Sequence, residues 1–157
     1  MRPFMDKVMP EAWQAAQTYA TAIRVAALER GLKAQEIELI KVRSSQLNGC
    51  AFCLDLHSRQ ARQAGIVQQK LDLLPTWRDA GLYTDREIAV LAVAEAATRL
   101  PVTDEAQADL VAAHGILGDE GFVAAEWVAA TVNAFNRISI LSQHPVRPRG
   151  ADGKVTR

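Results

Sequence analysis

The sequence predicts an all-α protein, a compact bundle of about seven helices in one domain. Three observations predict it. Alanine is abundant and apolar residues recur at spacings of three and four; runs of alternating β-branched residues are absent; and Gly or Pro recurs at intervals that suit helix ends. A chain of 157 residues has the length for a single domain with a buried core. Apolar residues make up 49% and charged residues 23%, the profile of a globular protein, and 18 basic residues balance 18 acidic ones. That neutrality argues against nucleic acid or an anionic membrane as partner. The longest apolar runs, such as 88–94, are far too short to span a bilayer. The opening MRPFMDKVMP has no apolar stretch of signal-peptide type and carries Asp6, so the cytoplasm is the expected compartment. A disulfide there is catalytic or transient rather than structural.

The elements follow in order. Trp13, Ala16, Ala20, Ile23 and Ala27 form one apolar face of a helix over 10–30, stopped at Gly31. A second helix covers 34–47 and is interrupted by Asn48-Gly49. A third runs from about Cys50 to Gly65, with Asn48 as its N-cap. A shorter segment over 67–73 meets Pro75 and Trp77. Thr84-Asp85-Arg86-Glu87 is a capping box, with Glu87 capping its own helix, which reaches about 99 before Pro101. Thr103 or Asp104 starts another, stopped by Gly115. The last and longest covers 119–141 and ends at His144-Pro145. Residues 1–142 thus form the domain. Residues 143–157 are a polar tail that alone is expected to be disordered and to rest on a neighbouring subunit. The Ala-rich helices and the long apolar last one are expected to leave a face for a second copy of the chain.

The chemistry concentrates in SSQLNGCAFCLDLH, residues 44–57, which holds both cysteines and one of three histidines. In a helix starting at Asn48-Gly49, Cys50, Cys53 and His57 point to one side, since residues seven apart differ by about 20° in projection. A Cys-x-x-Cys pair in a first helical turn is a redox device. The helix N-terminus favours the thiolate, and the second sulfur traps an oxidised first one as a disulfide. An imidazole one turn from Cys53 can take the thiol proton or return it to a leaving group. Glu38, on the preceding helix, is brought to His57 if Asn48-Gly49 folds that helix back, and its carboxylate would set the imidazole tautomer. Ser45 shares the face of Glu38 and is expected in the same network.

Blander readings stand beside these. Cys50, Cys53, His57 and Glu38 together make four zinc ligands, but there is no second cysteine pair. A purely structural bridge between residues three apart staples almost nothing. Glu38 and Ser45 taken alone suit a solvated face. Asn133, Asn136 and Arg137 make a polar stripe in the apolar last helix, which must be hydrogen-bonded if buried and either supports the structure or lines the pocket. Phe52 and Trp77 either wall an apolar entrance or pack in the core. Glu95 pairs with Arg99 at i+4, which contributes little. His114 and His144 receive no catalytic role.

The spacing of Glu38, Cys50-x-x-Cys53 and His57 resembles the signature of the alkyl hydroperoxidase D family, part of the broader carboxymuconolactone decarboxylase superfamily. IELIKVRSSQLNGCAFCLDLHSRQARQAG, LLPTWRDAGLYTDREIAVLAVAEAATRL and ATVNAFNRISIL resemble it almost continuously, so the likeness spans roughly 10–142. It implies an all-α homo-oligomer, a trimer or hexamer, that reduces hydroperoxides with thiols and no metal or bound organic cofactor. It makes Cys53 the peroxidatic cysteine, Cys50 the partner that closes the disulfide, and Glu38 with His57 a proton relay. A thiol or dithiol reductant, of lipoyl or thioredoxin type, would complete the cycle. One residue departs: Phe52 stands where the family's peroxidases carry a second histidine. Two other classes remain open, a decarboxylase-like enzyme without thiol chemistry and a non-enzymatic zinc-binding or thiol-sensing module.

Overall fold

The computed structural model describes residues 2–156. Among them are eight α-helices: α1 Met5–Val8, α2 Pro10–Glu29, α3 Ala34–Asn48, α4 Ala51–Gln63, α5 Gln68–Asp72, α6 Trp77–Ala80, α7 Asp85–Thr98 and α8 Asp104–Ser142, with a 3-10 turn at Leu74–Thr76 before α6. There is no strand among the described residues beyond one isolated bridge between Arg149 and Val155. None of these helices is long and apolar enough to cross a membrane.

The capping chemistry acts as the sequence predicts at α7. Glu87 N–H donates to Thr84 Oγ1 and Thr84 N–H to Glu87 Oε2, so two orphan amides at the helix start are satisfied reciprocally. Glu87 also accepts from Lys70 Nζ at 2.6 and 2.8 Å, which ties α5 to α7. Thr103 caps α8 through Ala106 N–H.

The elements differ from expectation in three places. α1 and α6 are short helices that the periodicity does not announce. The last two expected helices run together as α8, and the break falls at Gly118 rather than Gly115. Gly118 takes φ 69° with ψ 173°, a conformation that side chains with a Cβ rarely adopt. His114 Nε2 and Asp119 Oδ1 meet across this kink at 2.6 Å. In the tail, His144 pairs with Asp6 of α1 at 3.0 Å, and Arg149 Nε stands 3.7 Å from Asp55 of α4.

α3 is the central element. Ile37 and Ile40 join a core with Val90 and Val93 of α7 and Ala125 and Val128 of α8. Leu39 and Val42 join a second with Ala61, Leu74, Trp77 and Leu91. Each Ile, Leu or Val among them contributes roughly 1.5–3 kcal/mol when fully buried. With both sides covered, Glu36, Glu38, Arg43, Ser44 and Ser45 of α3 are buried too, and each needs a partner. Glu36 takes Arg86, Arg43 takes Glu95, Ser44 takes Thr98 and Ser45 takes Asn136. The solvated-face reading of Glu38 and Ser45 is therefore corrected: they are 3% and 0% exposed.

Candidate active site

α3 ends where Gly49 adopts φ 66°, the left-handed cap that turns the chain back. Cys50 N–H then donates to Ser45 O at 3.1 Å. Cys50, not Asn48, caps α4: its Sγ accepts from Cys53 N–H at 3.3 Å. Asn48 is drawn elsewhere. Its Nδ2 donates to both Asn133 Oδ1 and Asn136 Oδ1 at 2.8 Å, and Asn136 Nδ2 donates to Ser45 Oγ at 3.1 Å. Asn133 Nδ2 continues to Thr98 Oγ1 at 2.9 Å. This buried network fastens the α3–α4 turn to α7 and α8. Ser45, Asn133 and Asn136 therefore sit beneath the turn, and the expectation that Ser45 bonds to the Glu38 and His57 side chains is corrected.

The turn sets the cysteines in place. Their sulfurs are bonded at 2.06 Å, with the Cα atoms 5.3 Å apart, and both residues are buried. Cys53 lines a cleft of about 400 Å³ between α2, α3, α4 and α8; Cys50 does not. Trp13, Ile23, Phe52, Leu56, Val132 and Phe135 make most of its wall apolar, while Arg24, Lys41, His57 and Gln60 supply polar groups.

Glu38 stands behind this polar group. Its Oε1 accepts from Arg24 Nη1 and Lys41 Nζ, each at 3.2 Å. Its Oε2 is buried without a hydrogen-bond partner and lies 3.8 Å from His57 Nδ1. At that distance carboxylate and imidazole attract but are not hydrogen-bonded. His57 Nδ1 instead meets Gln60 Oε1 at 2.9 Å. Burial pushes the His57 pKa below its ordinary 6.5, and the Lys41 ammonium pushes the same way; Gln60 and Glu38 oppose them without winning. The imidazole is therefore neutral at neutral pH, in the form that accepts a proton.

The two aromatics separate. Phe52 walls the cleft, with its ring centroid 5.3 Å from that of His144, which also stacks edge-on against Phe4 at 5.0 Å. Trp77 belongs to the core. Its Nε1–H donates to Glu95 Oε1 at 2.9 Å, so the entrance reading is corrected. Glu95 also accepts from Arg43 at 2.7 and 2.9 Å and from Arg78 at 3.2 Å, while Arg99 stays at 4.0 Å. The expected Glu95–Arg99 pair is the weakest member of a buried cluster.

Sequence reasoning passed over Arg24, Lys41, Gln60 and Phe135. Two carried a usable signal, since Lys41 is three residues after Glu38 and Gln60 three after His57, the spacing at which helical side chains meet. Arg24 and Phe135 come from distant elements and carried none. Among the described residues, no three His, Cys, Asp or Glu side chains gather as metal ligands.

An all-α bundle that closes a Cys-x-x-Cys pair at a helix start, with a neutral imidazole sharing the cleft, defines a helical dithiol protein. This chain belongs to the carboxymuconolactone decarboxylase family, whose sequence model matches residues 10–96. It is 39% identical over 106 residues to YdfG of Bacillus subtilis, itself uncharacterised, a match spanning 66% of this chain and 70% of YdfG. With YnjA of Escherichia coli, also uncharacterised, it shares 35% identity over 77 residues, 48% of this chain and 42% of YnjA. Among solved structures, a protein of unknown function from Agrobacterium tumefaciens, described as a candidate antioxidant defence protein AhpD, superposes with a TM-score of 0.75. The two are 32% identical, and the match covers 92% of this chain and 99% of the other. The fold class and the family expected from the sequence both hold.

Proposed function

We propose that this protein is a thiol-dependent hydroperoxide reductase that cycles Cys50 and Cys53 between dithiol and disulfide. One observation carries the reading: Cys53 opens onto an apolar cleft it shares with His57, while its bonded partner Cys50 caps the same helix. The Agrobacterium structure described as a candidate antioxidant defence protein supports it.

In the reduced protein, His57 takes the Cys53 proton and the thiolate attacks the terminal oxygen of a hydroperoxide. An S–O bond forms, the O–O bond breaks, and the alkoxide leaves with the proton returned by His57 as an alcohol. Cys53 is then a sulfenic acid. The Cys50 thiolate attacks its sulfur, the S–S bond forms, and hydroxide departs with a proton as water. An external thiol or dithiol supplies two electrons and two protons to reopen the bridge. Cys53 rather than Cys50 is the attacking sulfur because it shares the cleft with His57 four residues on, and general-base help contributes ~10²–10⁴ in rate, whereas a helix dipole contributes only ~0.3–1 kcal/mol at exposed sites. Glu38 balances Arg24 and Lys41 and offers its free Oε2 to the imidazolium formed in the first step.

The test is thiol counting. One equivalent of an organic hydroperoxide added to the reduced protein should remove both free thiols and leave a peptide lighter by two hydrogens. Thiols that survive the addition, or full peroxide consumption by a Cys50→Ala, Cys53→Ala double variant, would overturn the proposal.

A further inference from the structure

Gln60 lies one turn beyond His57 on α4 and lines the same cleft. Two oxygens face His57 Nδ1: Gln60 Oε1 at 2.9 Å and Glu38 Oε2 at 3.8 Å. An Nδ1 carrying its lone pair would confront both. An Nδ1–H donates to the first and is attracted by the second. Turning the Gln60 amide over would offer Nδ1 a donor, but the imidazole lone pair would then face the Glu38 carboxylate. Glu38 does not take over the task itself, because Arg24 and Lys41 hold its other oxygen and the 3.8 Å gap is too long for a hydrogen bond.

We propose that Gln60 is a positioning residue that holds neutral His57 as the Nδ1–H tautomer, which leaves Nε2 as the nitrogen with the free lone pair. The kinetic consequence of this tautomer rests on the function proposed above. Without the Gln60 acceptor, the proton distributes between the two nitrogens, and the fraction of imidazole with a bare Nε2 falls.

The experiment uses the full chain labelled with ¹⁵N at histidine, in the disulfide form at neutral pH. Three histidines give a small spectrum, and a His57→Ala variant assigns the signal. The parent protein should show a protonated Nδ1 and a bare Nε2. Gln60→Leu should move His57 to a mixture or to the Nε2–H form. Gln60→Glu keeps an acceptor in place and should retain Nδ1–H while raising the His57 pKa. In the reduced protein, Gln60→Leu should slow hydroperoxide consumption about tenfold, and Gln60→Glu should restore most of the rate. An Nε2–H form in the parent, an unmoved Nδ1–H in Gln60→Leu, or an unchanged His57 pKa in Gln60→Glu would each overturn the proposal. If Gln60→Leu fails to fold, the parent spectrum and the Gln60→Glu titration decide alone. A protein that consumes no hydroperoxide yet shows the expected spectra refutes the proposed function and leaves this inference standing.

Discussion

His57 sits where charging it is costly, and that sets the direction of its pH response. Burial and then Lys41 hold its pKa below 6.5, so the neutral base persists as pH falls past the ordinary histidine value and is lost only when the lower folded pKa is crossed. The acid limb of hydroperoxide consumption should accordingly lie below pH 6.5, read from initial rates across a buffer series. A limb above that value would mean that another group titrates. His57→Ala should lower the rate by about 10²–10⁴ with the helices intact by circular dichroism. The roles of the two sulfurs can be read separately. Cys50→Ser should stop at a sulfenic acid on Cys53 that a dimedone probe labels, and Cys53→Ser should show no comparable labelling at Cys50. The reverse pattern would exchange their roles.

α3 shows what extensive burial demands of a helix. Its buried charged residues Glu36, Glu38 and Arg43 are stable there because other elements supply partners, and Arg43 with Glu95 of α7 is the most enclosed example. Burial raises the Glu95 pKa, but Trp77, Arg43 and Arg78 together outweigh it and hold the carboxyl below the usual range. The stability it confers is therefore fully present above pH ~4.5 and is lost as pH falls through the lower folded pKa. Glu95→Ala removes the carboxylate facing the Arg43 guanidinium, leaves it only the neutral Gln46 Oε1 at 3.0 Å, and should cost about 3–5 kcal/mol in urea unfolding at neutral pH. A loss under 1 kcal/mol would mean that water or another acceptor reaches Arg43. From the sequence this glutamate reads as a local partner of Arg99, because helical spacing is visible in a single segment and a contact from α3 or α6 is not.

In the single chain, Tyr19 of α2 and Val123 and Trp127 of α8 are exposed on adjoining surface, with Trp127 at 51% and its ring 6.2 Å from that of Tyr19. We expect this face to carry the homo-oligomer, since apolar side chains on adjoining helices gain by leaving water together. Light scattering at micromolar concentration should give a multiple of the chain mass, and Trp127→Lys should reduce it. A monomeric parent protein would remove the expectation. Much of the molecule is legible in local order. The 3.6-residue periodicity, the Thr84 capping box and the Gly49 break predict α2, α3, α4 and α7, because helix propensity and capping act over a few residues. The Cys50, Cys53 and His57 spacing was readable for the same reason, as all three ride on the first two turns of one helix. Packing between distant elements decided the rest: Asn48 was drawn from capping to Asn133 and Asn136, Trp77 was buried on Glu95, and Arg24 was brought from α2 to the Glu38 carboxylate. Those partners lie 14 to 88 residues apart in the chain, so burial and the hydrogen-bond demand of buried groups select them, and neither is encoded at any single spacing.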